Sequence, residues 1–121
     1  MAYEEVLQNV SLIAGQNLSS YQYHFVKVDT DGEVILCGDG ELAAGILQNA
    51  PTSGLVAALA PAIISKLVVA SGVTAGDLLK CGTTGHGETA TTGEIVLAIA
   101  LDSTPGGSAI IPALERVCIA P

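Results

Sequence analysis

The side chains best suited to chemistry in this sequence are two histidines, twelve carboxylates and three cysteines. His86 and Glu88 form a His-x-Glu pair, the arrangement by which zinc deaminases place a proton-moving carboxylate beside a metal-bound water. That chemistry also needs a downstream Pro-Cys-x-x-Cys to hold the metal, and the sequence has none. His24 lies inside Tyr21-Gln22-Tyr23-His24-Phe25, where no motif fixes a Ser or Cys nucleophile beside it. A packed or solvent-facing role for His24 follows. Nucleophile elbows, Walker loops and His-Glu-x-x-His zinc motifs are absent. Gly38-Asp39-Gly40 with Ala43, and Gly85-His86-Gly87 with Ala90, match the loose GxGxx(G/A) pattern. Neither opens a long amphipathic helix that would aim its N-terminus at a pyrophosphate, and Asp39 and Glu41 would repel one. These glycines fit turns.

Cys37, Cys81 and Cys118 are widely spaced and form no Cys-x-x-Cys, which argues against a zinc knuckle or a thioredoxin-type site. Each lies in or beside an apolar run, so burial as a small hydrophobe is expected. Reduced thiols suit a protein made in a cytoplasm. The acidic residues are dispersed. A carboxylate pair for glycoside hydrolysis could assemble only through the fold, so a small hydrolase with a dispersed carboxylate site remains an alternative. The residues select no catalytic, cofactor-binding or metal-ligating group.

The elements that must position these groups read as strands. Tyr21, Tyr23 and Phe25, continued through Val26 and Val28, read as a strand, and Asp31-Gly32 before Glu33 to Gly38 is a strong hairpin signal because Gly supplies the positive φ of the turn. A short strand is expected at 45–49 and a turn at Pro51-Thr52-Ser53-Gly54. Residues 55–70 are rich in Ala and Leu, but Pro61 would cost a helix about 3 kcal/mol. Two strands flanking Pro61 fit better. A strand at Leu78 to Cys81, a loop over 83–93 and a strand over 94–102 follow. In 109–120, Ile110, Ile111, Val117 and Ile119 favour strands interrupted by Pro112. Strands separated by frequent turns indicate an all-β fold, a small β-barrel or sandwich. Residues 1–20 are polar and mixed, with Val6, Val10 and Ile13 too briefly periodic for a stable helix. They read as an extended N-terminal arm, leaving 21–121 as a single β domain.

The chain has 121 residues, half of them hydrophobic, which suits one domain with a real core and excludes intrinsic disorder. Four basic against twelve acidic residues give a net charge of −8. That balance argues against direct nucleic-acid binding and against an anionic membrane surface. The N-terminus lacks the basic and apolar regions of a signal peptide, and Leu55 to Ala70 is too interrupted to span a bilayer. No aromatic follows Phe25, so neither an aromatic ligand pocket nor a sugar-binding surface is expected beyond it. A small, apolar, weakly charged chain tends to hide surface in an oligomer.

Over residues 23–51 the pattern Phe25-Val26-Lys27, the Asp-Gly turn, a Gly-flanked loop and Gly45-Ile46-Leu47-Gln48-Asn49-Ala50-Pro51 resembles the capsid cement, or head decoration, proteins of tailed bacteriophages. The resemblance continues through Ala70-Ser71-Gly72-Val73-Thr74-Ala75-Gly76-Asp77 and Thr91-Thr92-Gly93, and covers about residues 12–121. It implies a non-enzymatic all-β protein, barrel or β-tulip-like, made in the bacterial host cytoplasm and bound to the capsid exterior of the virion. It further implies a homotrimer that stabilises the shell at capsomer junctions, with the major capsid protein as partner. An N-terminal arm would reach that protein by adding a strand to a sheet edge, with Tyr3, Val6, Leu7 and Val10 as its contact residues. A tail or neck β-protein is the alternative within the virion.

Overall fold

The computed structural model describes residues 10–60, 64–104 and 106–121. Among them the chain is all-β, with ten strands and no helix. The first five are β1 (Val10–Ile13), β2 (Phe25–Val28), β3 (Val34–Leu36), β4 (Gly45–Leu47) and β5 (Val56–Ala60). They form one sheet in the order β1-β5-β4-β2-β3. The second five are β6 (Ile64–Val69), β7 (Leu78–Cys81), β8 (Gly87–Thr89), β9 (Ile95–Ala100) and β10 (Ala109–Ile119). They close into a small barrel in the order β10-β6-β8-β7-β9, with β9 returning to β10. Every described ladder between strands is antiparallel except β6–β8, which meets in parallel at Val69 and Gly87.

Local chemistry explains the hairpin. The Asp29 side chain accepts the Asp31 and Glu33 N–H groups at 2.9 Å, and Gly32 takes φ +78°. A short Asx-type turn with a glycine in the left-handed region pairs β2 with β3 as expected. The two strands expected around Pro61 are β5 and β6, and Pro61 itself lies outside the described residues.

Other expectations are corrected. The strand expected from Tyr21 begins only at Phe25. Tyr23 sits at φ +66°, and the Tyr21 and His24 N–H groups donate to Leu18 and Tyr21 carbonyls in tight turns. Positive φ breaks strand geometry, whatever the aromatic preference for sheets. Within the expected 83–93 loop, Gly87–Thr89 form β8, which pairs with β7. Pro112 does not divide the last strand. Its carbonyl accepts the Leu101 N–H at 3.0 Å, so its backbone polar side faces the rung just past the end of β9. In an antiparallel ladder both polar groups of a residue face the same neighbour, so the missing N–H falls where the ladder is ending. Cys118 is exposed, unlike Cys37 and Cys81. A register shift between Glu115 and Cys118 marks a bulge there, and bulges re-aim the side chains that follow.

Of the expected arm, residues 1–9 lie outside the described residues. From Val10 onward the segment belongs to the fold. β1 pairs with β5 from Val10 opposite Leu59 to Ile13 opposite Val56, and Ala14 and Leu18 are buried. Ala14 also bridges Val34 in parallel, and the Gly15 N–H donates to the Val34 carbonyl at 2.8 Å. The two outer strands of the first sheet therefore meet. The Gln16 side chain takes the Leu36 N–H at 2.9 Å on the same edge.

The first sheet contributes to a core on each face. One face joins Phe25, Cys37 and Ile46 to barrel residues including Leu67, Leu79, Leu97 and Ile111 in a single cluster. The other gathers Val26, Val34, Leu47, Ala57 and Leu59 under Ala14 and Leu18. Backbone hydrogen bonds stitch sheet to barrel: Phe25 N–H to Gly85 O (2.7 Å), Val68 N–H to Tyr23 O (2.8 Å) and Gly40 N–H to Cys81 O (2.9 Å).

Candidate functional site

Of the four expected contact residues, Tyr3, Val6 and Leu7 fall outside the described residues. Val10 opens β1, half-buried, and packs against the Leu18 cluster. Its side chain therefore serves the first sheet.

The structure assembles one relay that sequence spacing only hinted at. Thr84 Oγ1 lies 2.8 Å from His86 Nδ1, and His86 Nε2 lies 2.9 Å from Glu88 Oε2. Hydroxyl, imidazole and carboxylate in hydrogen-bonded sequence are the ingredients of an activated nucleophile. Acyl transfer also needs donors aimed at a developing oxyanion. The nearby Gly85 and Gly82 N–H groups are already spent, on the Gly82 and His86 carbonyls. His86 and Thr84 line an open cavity of about 490 Å³ together with His24, Ser71 and Ser108, whereas Glu88 does not. Burial lowers the pKa of His24 below its ordinary 6.5. The relay braces the β7–β8 turn.

Charge is organised around two lysines. Lys80 Nζ, on β7, reaches Glu94 at 2.9 Å, Asp39 at 3.2 Å and Glu88 at 3.8 Å. These carboxylates come from the loop after β3, from β8 and from the turn before β9, so one cation ties three separate segments together. Glu94 pays back the contact: the Thr91 N–H, first, and the Lys80 ammonium pull its pKa down to about 2. Lys27 bonds both oxygens of Glu41 at 2.8 Å. That contact raises the lysine pKa and, with the Gly38 N–H, lowers that of the carboxyl. Lys66 stands 5.6 Å over the Tyr23 ring. Asp29, Asp31 and Glu33 each bring one carboxylate oxygen within 4.8 Å of the others. Asp29 Oδ1 is committed to the turn N–H groups, so the trio is accounted for by the hairpin.

The surface otherwise offers apolar groups. Ile13 and Val56 are exposed and directly paired across β1 and β5, beside exposed Leu55. On the barrel, Ile64 and Ile110 are exposed on adjacent strands. At the end of β10, Val117 is 67% and Ile119 62% exposed. Val117 and Arg116 also border a cavity of about 210 Å³ floored by Phe25, Ala43 and Leu97. Sequence reading gave each residue an apolar type without showing which would remain outside.

No family model matches the chain, and no curated protein sequence matches it significantly. Among solved structures, the fold is shared with the N-terminal base of head fiber gp8.5 of bacteriophage phi29. The TM-score is 0.74 at 13% identity, over 89% of this chain and 92% of that one.

Proposed function

We propose that this chain is a structural protein of a phage virion that binds the outside of the head and stabilises the shell without converting a substrate. The observation that carries this reading is the fold shared, over nearly the whole chain, with the base of a phage head fiber. The resemblance to cement proteins across residues 12–121 supports it, as does the exposed Ile13–Val56 pair on β1–β5.

The physics requires no active site. A protein that binds assembled shell and not its separated subunits stabilises the shell by mass action. Several linked copies add effective concentration to each contact, which is the advantage of a homotrimer at capsomer junctions. Tyr3, Val6 and Leu7 are the proposed contacts with the major capsid protein, through strand addition. Val10 is shared with β1, so the segment that can be removed without touching a described strand is residues 2–9.

The test is co-sedimentation with purified phage heads, followed by electron cryomicroscopy. The intact chain should pellet with heads and appear at regular positions on their outer surface. A variant lacking residues 2–9 should keep the circular dichroism of the fold and lose at least tenfold in head affinity. Full binding by the deletion variant would remove the segment from the proposal. Density on tail or neck, with bare heads, would reassign the chain to another part of the virion.

A further inference from the structure

The two buried cysteines belong to different layers and meet in the core. Cys37 follows β3 of the first sheet; Cys81 ends β7 of the barrel. They are 1% and 0% exposed and share one hydrophobic cluster. The Gly40 N–H donates to the Cys81 carbonyl at 2.9 Å, holding the turn after Cys37 onto the end of β7. Each thiol shifts the titration of the other, Cys37 downward and Cys81 upward. Each sulfur also has a carbonyl beside it, Glu41 O at 3.7 Å from Cys37 Sγ and Gly82 O at 3.3 Å from Cys81 Sγ. Both are free thiols.

We propose that Cys37 and Cys81 are a latent disulfide site, closed by exchange with a small-molecule disulfide such as oxidised glutathione. The Cys37 thiolate attacks one sulfur of that disulfide, forming a mixed disulfide and expelling one glutathione thiolate. The Cys81 thiol then loses its proton and attacks the Cys37 sulfur, expelling the second glutathione thiolate. The two protons released by the protein thiols end on the two glutathiones. The protein pair is oxidised by two electrons and the small disulfide is reduced.

The order of attack follows from the surroundings. The neighbouring Cys81 side chain lowers the pKa of Cys37, while the Cys37 side chain, together with burial, raises that of Cys81. The thiolate is the nucleophile, so Cys37 goes first. Access requires opening of the Gly38–Glu41 turn, held by the Lys27–Glu41 pair and the 2.6 Å bond from Gly38 N–H to Glu41. Local opening of such turns is far easier than global unfolding. The closed bond would lock the first sheet to the barrel. That it closes after release from a reducing host cell rests on the virion reading; the bond itself does not.

The test uses the isolated full chain carrying Cys118→Ser, which removes the exposed thiol. It is incubated with oxidised glutathione, then denatured and titrated for thiols. The expected result is loss of both thiols, a mass lower by two hydrogens and a Cys37–Cys81 cross-linked peptide. The thermal midpoint should rise by roughly 10 °C and fall back with reductant, because the bond closes a long loop. Cys37→Ala and Cys81→Ala should each abolish the reductant-sensitive shift, whatever their own stability. Full recovery of both thiols, or a stable glutathione adduct without cross-link, would overturn the proposal. Neither result bears on whether the chain binds phage heads.

Discussion

The two faces of the first sheet are covered in different ways. The Phe25 face is covered by a separate five-stranded barrel and stitched to it by three backbone hydrogen bonds. The Val26 face is covered by the sheet's own leading segment, with Ala14 and Leu18 as its inner residues and Tyr21 packed against them. Both faces carry a core, but one cover is a closed unit with its own hydrogen-bonded ladders. The other is a strap only a few residues wide. A sheet can thus gain a complete core on one side and a thin one on the other, and the thin side should open first.

That comparison can be broken or sharpened by substitution. Phe25→Ala should cost the most, about 3–5 kcal/mol, because it opens the junction of sheet and barrel. Urea denaturation should then show one cooperative transition at lower midpoint, and two separated transitions would show that the layers fold independently. Leu18→Ala should cost about 2–4 kcal/mol. Hydrogen exchange at the Ala14, Gly15 and Leu18 amides should accelerate while barrel amides stay protected at their new global limit. Uniform acceleration would mean that the strap and the barrel open together.

Gly85→Ala comes next, at about 1–3 kcal/mol. Gly85 sits at φ +77°, and an added Cβ would lie 2.8 Å from the Phe25 carbonyl and 2.7 Å from Leu36 Cδ1. The stitch between layers should loosen, read as faster exchange of the Phe25 amide. Thermal stability unchanged from the parent would show that the stitch contributes nothing. The smallest effects should come from pH. His24 has a lowered folded pKa, so its contribution is complete above 6.5 and is lost as pH falls below it. Glu94, held at about 2 against an ordinary 4.5, contributes fully above 4.5 and loses that contribution between 4.5 and 2. Glu94→Gln should flatten the lower part of the stability–pH curve and His24→Asn the upper part. Unchanged curves would remove these groups from the acid response.

Much of the fold was readable where the determining interactions are local. The β2–β3 hairpin follows from Asp29, Asp31 and Gly32 within five residues. The division of 55–70 into β5 and β6, and the short β7, followed from residue type alone. The misreadings involve partners distant in sequence. Gly87-Glu88-Thr89 has no apolar alternation and becomes a strand only because β7 and β6 flank it. Tyr23 has a strand-forming side chain, but its backbone is bonded by Leu47 and Val68, far along the chain. The Thr84–His86–Glu88 relay was visible as a His-x-Glu pair; Thr84 enters through the turn geometry of 82–86. The pairing of Cys37 with Cys81 required two layers to be stacked, which no spacing along the chain encodes.

The meeting of β1 with β3 at Ala14 and Val34 bears on how copies of this chain behave when crowded. Open sheet borders recruit further strands and lead to fibres. Here one border's carbonyl and amide are taken up by Gly15 and Gln16, so at that seam the backbone has little left to offer a stranger. Neighbours brought close on that side must hold one another through side chains. Such contacts can be strengthened or weakened by single substitutions without rewriting the sheet beneath.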